Sequence, residues 1–157
     1  MLRLSTRGHY GLKAMFELAQ HHEVDEPIPL KIVAERQNIP ENYLEQLMAV
    51  LRRAKLVKSV RGAQGGYNLA RHPGKIYVGE IIRALEGPLA PLACVSELEP
   101  KECNDADYCI IRSIWLRVRD NIAEVLDSIS LADMCSDAER AAEKEFGQGY
   151  TRLYGGC

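Results

Sequence analysis

Three cysteines stand close together as Cys94-x8-Cys103-x5-Cys109, in a 157-residue chain with no cysteine before position 94. Two more, Cys135 and Cys157, follow farther on. Thiolates are soft ligands that suit iron–sulfur clusters, copper(I) and zinc. Zinc ribbons bring their ligands in pairs with about two to four residues between, and no such pair occurs here. The spacing also departs from the ferredoxin patterns, so it does not by itself name a cluster. An odd count of five argues against a complete disulfide framework. Plain or redox-sensing thiols are the alternative reading of the trio. Cys135 reads as a structural thiol, and Cys157 sits in the tail.

Residues 87–110 read as a loop, punctuated by Pro88, Pro91 and Pro100 and rich in acids, among them Glu97, Glu99, Glu102, Asp105 and Asp107. A loop this long in a small protein is usually functional or disordered. Behind it, Ile111, Ile114, Trp115, Val118, Ile122, Val125, Leu126 and Ile129 recur at helical spacing. The spacing predicts a long helix over 111–129, in a segment 111–134 that ends at Ser130-Leu131-Ala132-Asp133-Met134. Such a helix carries more apolar face than its own head covers. A partner helix from a second subunit is the expected cover, with Ile114, Trp115, Val118, Ile122 and Val125 at the seam. Packing across its own head is the alternative. Residues 135–157 turn charged and glycine-rich and read as a flexible tail.

The front of the chain, residues 1–86, must position the loop that follows it. Residues 1–75 hold 12 Lys and Arg against 7 Asp and Glu, while residues 76–157 hold 8 against 15. A basic front and an acidic back suggest a polyanion at the front. Leu12, Met15, Phe16 and Ala19 mark one face of a first helix from residue 6 to about 22. Pro27 and Pro29 cannot continue it. Residues 30–36 make a short second helix with Leu30, Val33 and Ala34 inward, and residues 37–39 a turn. Pro40 then fits the first position of a third helix, whose inner face is Leu44, Leu47, Met48 and Leu51. Its outer face offers Asn42, Tyr43, Glu45, Gln46, Ala49 and Arg52. Two helices joined by a tight turn, the second with a polar face, form a helix-turn-helix, although a small helical bundle would show the same pattern.

Residues 56–60 and 67–70 have strand character around Arg61-Gly62-Ala63-Gln64-Gly65-Gly66. A hairpin at this point is the wing of a winged helix. Arg52, Arg53, Lys55, Lys58 and Arg61 at its base would neutralise phosphates. The glycines lack the Lys-Ser/Thr ending of a nucleotide loop. Residues 76–78 read as a closing strand, and residues 79–86 as a helix stopped by Gly87-Pro88. The fold class expected is mainly α: a winged helix-turn-helix domain with a small β wing, plus a long C-terminal dimerisation helix.

The stretch Leu4-Ser5-Thr6-Arg7-Gly8-His9-Tyr10-Gly11-Leu12-Lys13-Ala14-Met15 resembles the first helix of the IscR/CymR/NsrR superfamily of bacterial winged-helix regulators. So do Asn42-Tyr43-Leu44-Glu45-Gln46-Leu47, Leu56-Val57-Lys58-Ser59-Val60-Arg61-Gly62-Ala63, Gly65-Gly66-Tyr67, Val78-Gly79-Glu80-Ile81-Ile82 and Ser130-Leu131-Ala132-Asp133-Met134. The resemblance covers residues 1 to about 134. It implies a homodimeric transcription factor on double-stranded operator DNA, its long helices crossing at the dimer interface. Repressors of the CymR type share Leu85-Glu86-Gly87-Pro88, but the cysteine trio favours the cluster-binding IscR and NsrR branches.

That branch implies an iron–sulfur cluster, expected as [2Fe-2S], on Cys94, Cys103 and Cys109. The IscR pattern has a histidine three residues after its last cysteine, whereas Arg112 stands here, and guanidinium stays protonated. The fourth ligand is therefore open between Asp107 and His9 of the partner subunit. Operator choice would come from Asn42, Glu45 and Gln46 at base edges, with Tyr43, Arg52 and Arg61 on phosphate or in the minor groove. An ion pair of Glu45 with Arg52 or Arg53 is the structural alternative.

The function expected is a regulator, by default a repressor, of cluster-biogenesis genes. A repressor of cysteine metabolism and a nitric oxide sensor are alternatives within the class. An iron–sulfur electron carrier or enzyme is the reading from another class; the helix-turn-helix, the basic wing and the lack of a catalytic constellation oppose it. A pure protein-interaction module would leave the basic wing unexplained. No small-molecule substrate is expected. No apolar run approaches the roughly 18 residues of a membrane span, and residues 1–7 lack a signal core, so a cytoplasmic protein is expected.

Overall fold

A computed structural model describes residues 5–24, 26–104 and 106–146. Ser5 opens α1 (Thr6–Gln20) by accepting from the backbone N–H groups of Arg7 and Gly8, donors that a helix start leaves bare. The buried face of α1 centres on Gly8, Gly11, Ala14, Met15 and Leu18. That is one step round from the expected face: Leu12 and Phe16 are only half-buried flanks. Gly11 explains the rotation. A Cβ there would lie 2.1 Å from Leu85 Cδ1, so a later helix presses directly on the glycine. A face whose centre has no side chain is invisible to a count of large apolar residues.

Helices α2 (Leu30–Gln37) and α3 (Glu41–Arg53) are joined at Asn38, which takes the left-handed conformation with φ of 52°. Asparagine tolerates this region, and Ile39 N–H then donates to the Ala34 carbonyl at 2.9 Å. Pro40 caps α3 rather than starting it, one residue from the expected place. Leu44, Leu47, Met48 and Leu51 are buried, as their spacing requires.

The wing is an antiparallel pair, β1 (Val57–Val60) and β2 (Gly66–Leu69), with Val57 opposite Leu69 and Val60 opposite Gly66. Ile28 adds a third line, exchanging two backbone hydrogen bonds with Tyr67 at 3.0 and 2.9 Å. Residues 76–78 do not form a strand. Tyr77 makes a single bridge to Ser130, and Val78 already begins α4 (Val78–Glu86). The partner is a two-residue junction between helices, too short to offer a ladder. Gly87, with φ of 89°, ends α4.

Helix α5 (Ile110–Ser128) matches the expected long helix and has no buried residue within the single chain. The expected flexible tail does not begin at residue 135: α6 (Leu131–Phe146) continues the fold. Ser130 and Asp133 form its capping box, with Ser130 N–H donating to the carboxylate at 2.8 Å and Asp133 N–H donating to the hydroxyl at 3.1 Å. Leu131 is fully buried, and Met134 and Cys135 pack on the core. The helix is hidden in sequence because its charged residues occupy the outer face of an amphipathic element. Residues 147–157, with Cys157, lie outside the described residues.

Candidate DNA-binding face and cysteine loop

Helix α3 turns its large apolar residues inward, which leaves Asn42, Glu45, Gln46, Arg52 and Arg53 exposed on its outer side. Glu45 makes no ion pair among the described residues, with Arg52, Arg53 or any other cation. Arg52 instead donates to the Ser59 hydroxyl at the base of the wing, at 3.2 Å. Tyr43 is half-buried, its ring edge-on to Tyr10 with centroids 6.0 Å apart. Its ring is thus part of the α1–α3 packing as well as of the outer surface. Arg61 is exposed where the wing turns, next to Gly62 at φ of 114°.

Sequence spacing did not single out Arg7. It lines a cleft of about 350 Å³ with Tyr43, Gln46, Val50 and Arg53, whose lining has two guanidinium groups and no carboxylate. A lone arginine in the first turn of α1 carries no periodic signal, and only the packing of α1 on α3 brings it there.

The three loop cysteines sit on different supports. Cys94 is half-buried in a short 3₁₀ turn, Ala93–Val95. Cys109 caps α5, its Sγ accepting from the Arg112 backbone N–H at 3.4 Å. Cys103 is exposed between them. Among the described residues, no three His, Cys, Asp or Glu side chains are grouped to hold one metal ion, so the structure does not gather the trio. Asp107 is exposed in the same loop, and His9 is exposed on α1 beside Tyr10. The donor set has the softness a cluster needs. The loop as folded is not closed around one. Burial, with Glu139 adding to it, pushes the Cys135 thiol up, away from reactivity.

The first half of this loop is firmly attached. Glu97 N–H donates to the Leu89 carbonyl at 3.1 Å, and Leu89 N–H returns to the Glu97 carboxylate at 2.9 Å. Arg83 of α4 grips the same carboxylate through Nε at 2.9 Å and Nη2 at 2.7 Å. Its Nη1 reaches Asp127 of α5 at 2.6 Å. The Arg83 hydrogen bonds hold the Glu97 carboxyl below the usual carboxylate range, and the two acids push the guanidinium further up.

On α5, Ile114 and Val125 are 52% and 57% exposed. Trp115, Val118 and Ile122 are half-buried. An apolar stripe of this kind lies open along the helix. Among the described residues, no helix is long and apolar enough to cross a membrane.

A helix-turn-helix with an exposed polar second helix, followed at once by a two-stranded wing, defines a winged-helix DNA-binding protein. The chain belongs to the Rrf2 family, described as iron-dependent transcriptional regulator, which it matches over residues 4–137. It is 46% identical over 143 residues to the HTH-type transcriptional regulator CymR of Bacillus subtilis, covering 90% of this chain and 96% of that protein. The solved structure of CymR, the global cysteine regulator of B. subtilis, matches with a TM-score of 0.70 at 48% identity, over 87% of this chain and 98% of that one. The structure of T. potens IscR matches with a TM-score of 0.73 at 51% identity, over 98% and 94%. The protein is therefore a transcriptional regulator of the IscR/CymR superfamily, and not an enzyme.

Proposed function

We propose that the chain is an iron–sulfur-cluster-binding repressor of cluster-biogenesis genes, acting in the cytoplasm as a homodimer on palindromic operator DNA. The observation that carries this reading is the cysteine trio on one segment, with Cys94 in a docked turn, Cys109 at the α5 cap and exposed Cys103 between them. These are the soft donors of a [2Fe-2S] cluster, with Asp107 or His9 of the partner subunit as fourth ligand. The likeness to T. potens IscR supports it. The uncovered α5, through Ile114, Trp115, Val118, Ile122 and Val125, supports the homodimer. Asn42, Glu45 and Gln46 serve as base readers, and Tyr43, Arg52 and Arg61 as phosphate or minor-groove contacts.

Anaerobic purification with an absorption spectrum and iron and sulfide counts tests the cluster. Cys94→Ala, Cys103→Ala and Cys109→Ala should each abolish it after reconstitution, while Cys135→Ala and Cys157→Ala retain it. Full iron and sulfide in Cys103→Ala would overturn the ligand set. The likeness to CymR favours a second reading, a repressor of cysteine metabolism without a cluster. A wild-type protein that takes up no iron or sulfide, yet binds operator DNA, would decide for it.

A further inference from the structure

Helix α5 meets the DNA-binding head at two levels. At its C-terminal end the contact is direct. Val78 N–H donates to the Ile129 carbonyl at 2.9 Å, and Arg83 reaches Asp127 at 2.6 Å. Gly79 permits this approach, since a Cβ there would stand 1.8 Å from Asp127 Oδ1. Eight residues earlier, about 12 Å along the helix, the contact is indirect. Arg119 Nη1 donates to the Val95 carbonyl at 3.1 Å, and Val95 belongs to the cysteine loop. Two residues beyond Val95, Glu97 takes the forked pair from Arg83 on α4. Residues 95–97 thus stand between α5 and α4 and are bonded to both. Val95 is 0% and Ser96 8% exposed, so this segment cannot shift without moving its neighbours.

A helix held at one end pivots; a second anchor fixes its direction. We propose that residues 95–97 are a wedge that sets the tilt of α5 against the head, with Arg83 and Arg119 as its positioning residues. In a dimer joined through α5, the wedge sets the separation of the two recognition helices. This rests on the homodimer proposed above. The lever is favourable. A 1 Å shift of the wedge about 12 Å from the pivot tilts α5 by about 5°, from the helix rise alone. The far side of a head about 30 Å across, the size of a small domain, then moves by about 2.5 Å, close to the step of about 3.4 Å between base pairs. Cys94 immediately precedes the wedge, so a load on its sulfur reaches the tilt through one peptide bond.

The test uses the full chain and half-sites that the wild-type protein selects from a random duplex pool, paired at separations varied one base pair at a time. The wild type should show a sharp optimum, with affinity falling about tenfold one base pair away, within the usual range of coupling between sites. Glu97→Gln and Arg119→Met should each flatten that preference to about threefold or less, with affinity for a single half-site within about twofold of wild type. The double variant should be no flatter than the flatter single one, because either break frees the same wedge. Arg119→Lys, which keeps a donor for the Val95 carbonyl, should restore the optimum. A dimeric wild type whose variants keep its spacing profile would overturn the wedge alone. So would variants that lose single half-site affinity in parallel, since that marks damage to the head. A wild type that sediments as a monomer on and off DNA would overturn the dimer reading, and the wedge with it.

Discussion

Arg52 Nη1 donates to the Ser59 hydroxyl at 3.2 Å, which ties the last turn of α3 to the first strand of the wing. Both residues are exposed, so the bond contributes little to folding. For the phosphate contact proposed for Arg52 it should matter more: a guanidinium already held loses less side-chain freedom when it meets a phosphate. Arg52→Ala should weaken specific and non-specific duplex binding alike, by about tenfold, and reduce the salt slope by about 0.9. Ser59→Ala should keep the slope and weaken binding by only about twofold to threefold, the worth of a lost exposed hydrogen bond. Fluorescence anisotropy titrations at four salt concentrations measure both quantities.

Two wing glycines serve different needs, and their replacements should separate. A Cβ on Gly66 would lie 2.2 Å from the Ile28 carbonyl oxygen, a backbone atom locked in the bridge to Tyr67. Gly66→Ala should cost about 3 kcal/mol through overpacking, which lowers the thermal midpoint by about 10 °C. Gly62 has open space around its would-be Cβ but a φ of +114°. Gly62→Ala should cost only about 1 kcal/mol of backbone strain. Thermal unfolding followed by circular dichroism distinguishes the two.

Glu97 should give the protein an acid-sensitive component of stability. The forked hydrogen bonds from Arg83 depress its carboxyl in the folded state, with the Leu89 N–H helping. A depressed folded value means the ionised form favours folding. The gain is complete above the unfolded glutamate value of about 4.3, and it is lost as pH falls through the depressed folded value. The stability difference between wild type and Glu97→Gln should therefore be constant from about pH 6 to 7.5, narrow below about pH 4.3 and close in stronger acid. Urea unfolding across this range measures it. A difference that grew on acidification would mean that Glu97 is not held by Arg83.

The head was legible where large side chains repeat. Leu44, Leu47, Met48 and Leu51 place α3 in its correct orientation, and the glycines at 62, 65 and 66 place the wing. Structure departs from pattern wherever the decisive contact is made by a residue outside any repeat. Gly11 turns α1 by its lack of a side chain. Tyr77 finds its bridge at Ser130, far along the chain, so residues 76–78 look like a strand but pair only once. Arg83 gathers Glu97 from 14 and Asp127 from 44 residues away, separations that no period encodes. The cysteine spacing names the chemistry of the donors and leaves their arrangement open, because the acids and prolines around Cys103 specify no repeating geometry.

The α5 stripe yields a test of assembly. Leucine-like surface buried between two helices contributes about 25 cal/mol per Å², and a charge placed there loses that and must also shed its water. Ile122→Glu should therefore yield monomers, with affinity for a paired operator falling to that of a single half-site. Sedimentation velocity reads the first effect and gel shift the second. The head should stay folded, since Ile122 is not part of its buried core. A variant that remains dimeric would move the interface off this face.

Glu45 is the carboxylate among the base readers proposed for α3. It is exposed on α3 and unpaired with any arginine or lysine among the described residues, so its charge is available to a groove. A carboxylate there accepts from the cytosine amino group and is repelled by phosphate and by base edges that present acceptors. As the proposed base reader, it should contribute mainly by rejecting wrong sequences. Glu45→Ala should lower selected-operator affinity by about tenfold, while non-specific affinity stays level or rises, because one repulsive charge near the backbone is gone. Arg61→Ala should do the opposite, weakening both complexes to a similar degree and flattening the salt dependence. The two variants, titrated on the same selected and scrambled duplexes, separate readout from anchoring. Equal losses of Glu45→Ala on both duplexes would remove Glu45 from the readout and shift it to Asn42 and Gln46, the remaining exposed amides of the first two turns.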